Sequence, residues 1–146
     1  HIDALFFSRA PSTLETGTVR RLFADPKKAC TEFFSRNGFF PIMHVIAIKD
    51  EVIKVNPDLP CLLLNLYEQA KSIAETYMDD PGWSQLSWAR MAREEQTKLL
   101  SADTWPVGLA DNRPNIERFI GYSLDQELID RQLKPEELFH ESVIQS

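Results

Sequence analysis

The most continuous apolar run of the chain lies between Gly38 and Lys49 and contains Phe39, Phe40, Ile42, Val45, Ile46 and Ile48. Its β-branched and aromatic content predicts a strand of about eight residues, buried on both faces. Strands of that kind occupy the middle of parallel or mixed sheets. A second, shorter apolar stretch, Ile2 to Phe7, predicts another strand.

Elsewhere the helical period takes over. Asp25-Pro26 reads as an N-cap followed by an N1 proline and opens a helix to about Arg36, which Asn37-Gly38 stops. Thr18 to Phe23 suggests one further helical turn. Asp50 is expected to cap a short helix through Val55. Asp58 opens the longest one, in which Leu59, Leu62, Leu63, Leu66, Ala70, Ile73, Ala74 and Tyr77 form a face that packs on the sheet. Its other side, with Glu68, Lys71 and Glu75, reads as solvated. Asp80-Pro81-Gly82 ends it. Trp83 to Leu100 predicts a helix with Trp83, Leu86, Met91 and Leu99 in the core, and a charged stretch from Arg90 to Glu95 that reads as a solvated face. Pro114 suits N1 of the next helix, whose apolar face holds Ile116, Phe119, Ile120 and Leu124. A proline-started turn at Pro135 follows, and the residues after Phe139 read as a frayed tail.

Composition narrows the classes. The 146 residues are one domain's worth of chain, and a net charge of −6 without a Lys/Arg cluster speaks against nucleic acid. No run reaches transmembrane length. Cys30 and Cys61 lack metal-site spacing and read as buried free thiols. The chain has no initiator Met and opens inside its first predicted strand, which reads as a fragment, either an artificially truncated chain or the C-terminal part of a longer protein, with His1 fitting a tag remnant.

Three loci stand out as candidate chemistry. His44 interrupts the apolar run, in phase with Ile42, Ile46 and Ile48. A buried imidazole needs partners for its nitrogens, so His44 reads either as a satisfied core residue or as an acid-base group at a sheet edge. Ser8 and Arg9 follow the first strand, where α/β proteins place ligand contacts; Arg9 reads as a bidentate donor to carboxylate or phosphate, or as a solvated arginine. Asn112 and Arg113 precede the Pro114 helix, whose N-terminus suits an anion, or is simply a structural turn with Trp105 as its anchor. No phosphate loop, nucleophile elbow, HExxH or dinucleotide-binding glycine pattern is present.

Several stretches together are more specific. "IDALFFSRAP", "VRRLFADPKKACTEFFSRNGFFPIMHVIAIKDEV", "WPVGLADNR" and "LKPEELF" resemble the C-terminal part of the 4,5-dihydroxyphthalate decarboxylase family. Those proteins are similar to type II periplasmic binding proteins, related to the nitrate/sulfonate and thiamine-precursor binding group. The resemblance implies a helix-rich fragment of a three-layer α/β/α fold. Residues 1–38 would lie in the inter-lobe region and residues 39–146 would complete the first lobe. It implies a decarboxylase acting on a dihydroxylated aromatic dicarboxylate, with His44 as general acid, Arg9 holding a carboxylate, and Ser8, Asn112 and Arg113 binding substrate. A divalent metal on the substrate hydroxyls is compatible with this chemistry, although the sequence offers no ligand cluster for it. The alternative is a solute-binding component of a transporter for a small anionic or aromatic-acid ligand. The compartment is cytoplasmic in the first case and periplasmic in the second. A chain that leaves core and sheet edge exposed is also expected to pair with itself.

Overall fold

Among the described residues, five α-helices make up the regular structure: α1 (Pro26–Asn37), α2 (Asp50–Val55), α3 (Leu59–Asp79), α4 (Ala89–Leu99) and α5 (Leu109–Asp125). Single 3-10 turns span Ser12–Leu14, Pro135–Glu137 and Glu141–Val143. This computed structural model describes residues 3–80 and 82–146. His1, Ile2 and Pro81 lie outside the described residues, and with them the start of the first predicted strand and the centre of the Asp80-Pro81-Gly82 stop.

Among the described residues there is no strand, which overturns the α/β, three-layer expectation. A β-rich sequence becomes a strand only when a neighbouring backbone pairs with its N–H and C=O groups. Residues 3–7 and 40–49 find no such neighbour and remain irregular. The face of α3 expected to lie on a sheet therefore has no sheet to cover.

Local signals set most helix ends. Asp25 accepts a hydrogen bond from Lys28 N at 3.0 Å, and Gly38 closes α1 at φ 76°, so both predicted caps are present. The helix at 50–55 is there too, with Lys49 rather than Asp50 at the cap; Asp50 and Glu51 place negative charge in the first turn. The Thr18–Phe23 stretch forms no helix.

Two helices start elsewhere than expected. Residues 83–88 stay outside α4: Ser84 Oγ accepts from Leu86 N at 3.1 Å, a local turn that competes with the helix. Trp83 stacks on Tyr77, with ring centroids 4.3 Å apart. Trp83, Leu86, Met91 and Leu99 are all exposed rather than core. α5 begins at Leu109, five residues ahead of Pro114, which therefore lies inside the helix and gives up the bond its N–H would have made.

The small core is built on α5. Leu109, Ile116 and Ile120 are buried, and Ile42, Ile129, Leu133, Phe139 and Ile144 pack against them. Phe119, expected on the same face, is exposed. The residues after Phe139 are ordered against this core rather than frayed. Cys61 Sγ donates to Ser142 O at 3.3 Å, and Ser146 meets the first turn of α5, with Leu109 N donating to its Oγ at 3.2 Å and Ala110 N to its carbonyl oxygen at 2.5 Å. Both cysteines are free; Cys61 is half-buried as it meets this segment, while Cys30 lies on the exposed side of α1, contrary to the buried reading. Among the described residues, no helix is long and apolar enough to cross a membrane.

Candidate functional site

Asn115 organises the region that carries the candidate residues. It is buried on α5, and its side-chain amide works both ways: Nδ2 donates to Phe40 O at 2.7 Å, and Oδ1 accepts from Ile42 N at 3.2 Å. One side chain thus supplies the donor and the acceptor that a neighbouring strand would offer an extended segment. The Phe40 ring also packs edge-on to Trp105, with centroids 5.2 Å apart. Lys71 fixes the Trp105 loop from α3, donating to Asp103 Oδ2 at 2.5 Å and Trp105 O at 2.7 Å, so it is a bridge rather than part of a solvated charge ladder. His44 follows Ile42 by two residues, so its Cα lies within ~7 Å of this clamp. Its imidazole is exposed, not buried in a sheet.

Asn115→Leu keeps the branched side-chain shape and removes both bonds, leaving two backbone groups without partners. The expected loss is roughly 2–3 kcal/mol of stability, read as a lower denaturation midpoint. A midpoint equal to wild type would mean that the amide does not hold the segment.

The other candidate residues have more specific surroundings than the sequence implied. Asn112 is buried and donates through Nδ2 to Pro106 O at 2.7 Å and Gly108 O at 2.8 Å. Its side chain ties down the start of α5 instead of pointing at a ligand. Arg113 pairs with Glu136 at 2.6 Å and, more loosely, with Glu117 at 3.7 Å. The N–H groups at the start of α5, expected to meet an anion, are taken by Ser146. Ser8 and Arg9 are exposed in the irregular segment before the first 3-10 turn. The structure places Asn112 and Arg113 on α5 beside the residue that clamps the His44 segment. Among the described residues, no hydrogen bond or ion pair joins Ser8, Arg9 or His44 to the other candidates. Nor are three or more His, Cys, Asp or Glu gathered as a metal site among the described residues.

The Arg113 pair shapes electrostatics. The guanidinium, bonded to Glu136, holds that carboxyl below its usual range and is itself pushed up. Arg131 does the same to Glu137 at 2.8 Å. A carboxylate whose folded-state pKa is depressed stabilises the fold above its unfolded pKa. That contribution is lost as pH falls through the lower folded value. The protein should therefore lose stability on acidification through and below the ordinary carboxylate range, and Glu136→Gln should flatten that limb of a melting-temperature profile. An unchanged acid limb in the variant would show that the pair does not contribute.

One surface groove, of about 550 Å³, lies between the end of α1 and the outer face of α5. Arg36, Phe39, Arg118 and Tyr122 line it, with Glu117 and Asp125 alongside, and the Arg118 guanidinium lies 6.0 Å from the Tyr122 ring centroid. It brings two arginines, two carboxylates and two aromatic rings together, so the groove carries no net charge. The sequence signal for half of it was the i, i+4 pair Arg118–Tyr122. Asn115 had a weaker signal, as a polar residue beside Ile116 on the apolar face.

The described residues thus define an α-helical chain in which Asn115 clamps an irregular segment bearing an exposed histidine. No family model matches the chain. Over 99% of its length it is 32% identical to 4,5-dihydroxyphthalate decarboxylase of Comamonas testosteroni, which supports a relationship to that family. The chain spans 45% of that protein's length.

Proposed function

We propose that this chain is part of a decarboxylase acting on an electron-rich aromatic carboxylate of the 4,5-dihydroxyphthalate type. The observation that carries this reading is the 32% identity, sustained over 99% of the chain, to a protein of that name. In the reaction, the ring carbon that bears the carboxylate takes a proton. The bond from that carbon to the carboxylate then breaks, its electron pair restores the aromatic ring, and carbon dioxide leaves. His44 is the general acid, exposed on its clamped segment and open to a ligand. Arg9, which carries no ion pair among the described residues, grips a substrate carboxylate, with Ser8 beside it. Arg113 joins them by exchanging Glu136 for the ligand, and Asn112 keeps the start of its helix in place.

The test follows carbon dioxide release from 4,5-dihydroxyphthalate by the native-length protein that carries this chain, with and without added divalent metal, alongside calorimetric binding of the same compound. Turnover is expected. Binding without turnover would overturn the decarboxylase reading in favour of a solute-binding protein, and the absence of both would remove the substrate class.

A further inference from the structure

Hydrogen bonds hold the His44 segment at its two ends. At one end Asn115 Nδ2 donates to Phe40 O at 2.7 Å, and Ile42 N donates to Asn115 Oδ1 at 3.2 Å. At the other, Lys49 O accepts from Val52 N at 3.0 Å and from Ile53 N at 3.2 Å as α2 begins. Among the described residues, no backbone–backbone hydrogen bond reaches residues 43–48. The imidazole itself is exposed, so burial does not fix its direction. Where His44 points therefore depends on how the backbone leaves Ile42, two residues before it.

Apolar contacts already keep that end in place. Ile42 packs on the core, the Phe40 ring meets Trp105, and the Phe39 ring lies edge-on to Phe33 with centroids 5.8 Å apart. Burial of this kind is non-directional. Asn115 adds direction. An amide buried to 5% exposure costs free energy unless its polar atoms are bonded. Asn115 meets that demand with a carbonyl and an N–H two residues apart on one backbone. Two bonds from one planar amide fix the rotation of that backbone as well as its position.

We propose that Asn115 is a positioning residue for His44: its amide aims the segment so that the imidazole meets the ring carbon it protonates. This rests on the decarboxylase reading above, with His44 as the acid. A displacement of about 1 Å at a reacting group costs about 10²-fold in rate. Loss of the clamp changes the aim of the acid and leaves the grip on the substrate carboxylate alone.

The experiment measures carbon dioxide release from 4,5-dihydroxyphthalate by the native-length protein, with calorimetric binding of the same compound and circular dichroism to establish folding. Asn115→Leu removes both bonds, and Asn115→Gln keeps the amide but carries it one methylene further. Each is made alone and together with His44→Ala. With His44 present, kcat should fall by about 10²-fold for leucine and less for glutamine, at unchanged affinity. With His44 already replaced, neither change should lower kcat further, because a residue acting only through His44 has nothing left to position. A merely structural role would cost the same factor in both backgrounds and would overturn the proposal. So would a loss confined to KM, or a kcat equal to wild type. Should the leucine variant fail to fold, the glutamine pair decides by the same criteria. A wild-type protein without turnover removes the decarboxylase reading and this proposal with it. Turnover that is indifferent to Asn115 removes the proposal alone.

Discussion

His44→Ala is expected to lower carbon dioxide release from 4,5-dihydroxyphthalate by about 10²–10⁴-fold, the range a positioned general acid supplies. On the mechanism proposed above, substrate binding should change little, because that reading assigns the carboxylate to arginine and not to the imidazole. The loss therefore belongs in kcat rather than KM. His44→Gln separates acid chemistry from hydrogen bonding, since it keeps a donor and an acceptor but cannot deliver a proton to carbon; it should be as slow as the alanine variant. The Asn115 clamp at Phe40 and Ile42 is untouched by either change, so both variants should melt with wild type. Rates close to wild type in the alanine variant would remove His44 from the reaction. A rate restored by glutamine would make it a hydrogen-bonding group.

Gly108→Ala should cost roughly 3–5 kcal/mol of stability, more than any other single change considered above. Two causes add. Gly108 sits at φ 95° and ψ 167°, a conformation that side-chain-bearing residues adopt only at a cost of about 1–3 kcal/mol. A Cβ there would also lie 2.7 Å from the carbonyl carbon and 2.9 Å from the carbonyl oxygen of Ser146, so backbone must shift. That shift breaks the bonds from Leu109 N and Ala110 N to Ser146, each worth about 1 kcal/mol. Denaturant unfolding of Gly108→Ala beside Gly38→Ala provides the comparison. Gly38 also has a positive φ, but a Cβ there meets nothing within 4 Å, so the alanine adds only backbone strain. Equal effects at the two positions would show that the Ser146 approach does not matter.

These positions also show how far the sequence reaches. Asp25 and Gly38 could be read correctly because each cap acts on a backbone group a few residues away. The extents of α2, of the proline turn at Pro135 and of α3 were legible as well, although Lys49 and not Asp50 stands at the cap of α2. The candidate residues were legible only as residue types. Whether Arg113 is available to a ligand depends on Glu136, and whether Asn112 faces one depends on the carbonyls of Pro106 and Gly108.

The strands failed for a related reason. Phe39 to Ile48 has the composition of a buried strand, but composition measures fitness for a pleated, covered surface and does not supply the neighbouring backbone. Here the neighbour is one amide, Asn115, 73 residues from Ile42 and 75 from Phe40. The start of α5 is similar: Pro114 marks a local preference for N1, yet Ser146 provides acceptors at Leu109 and Ala110 and the helix begins there. By itself, the sequence determined where helices can form and which residues carry charge, because those are properties of neighbours along the chain. The tertiary structure alone decided which extended segments stay unpaired, where α5 begins and which side chains are left open. Hydrogen bonds and burial depend on groups brought together across the whole fold.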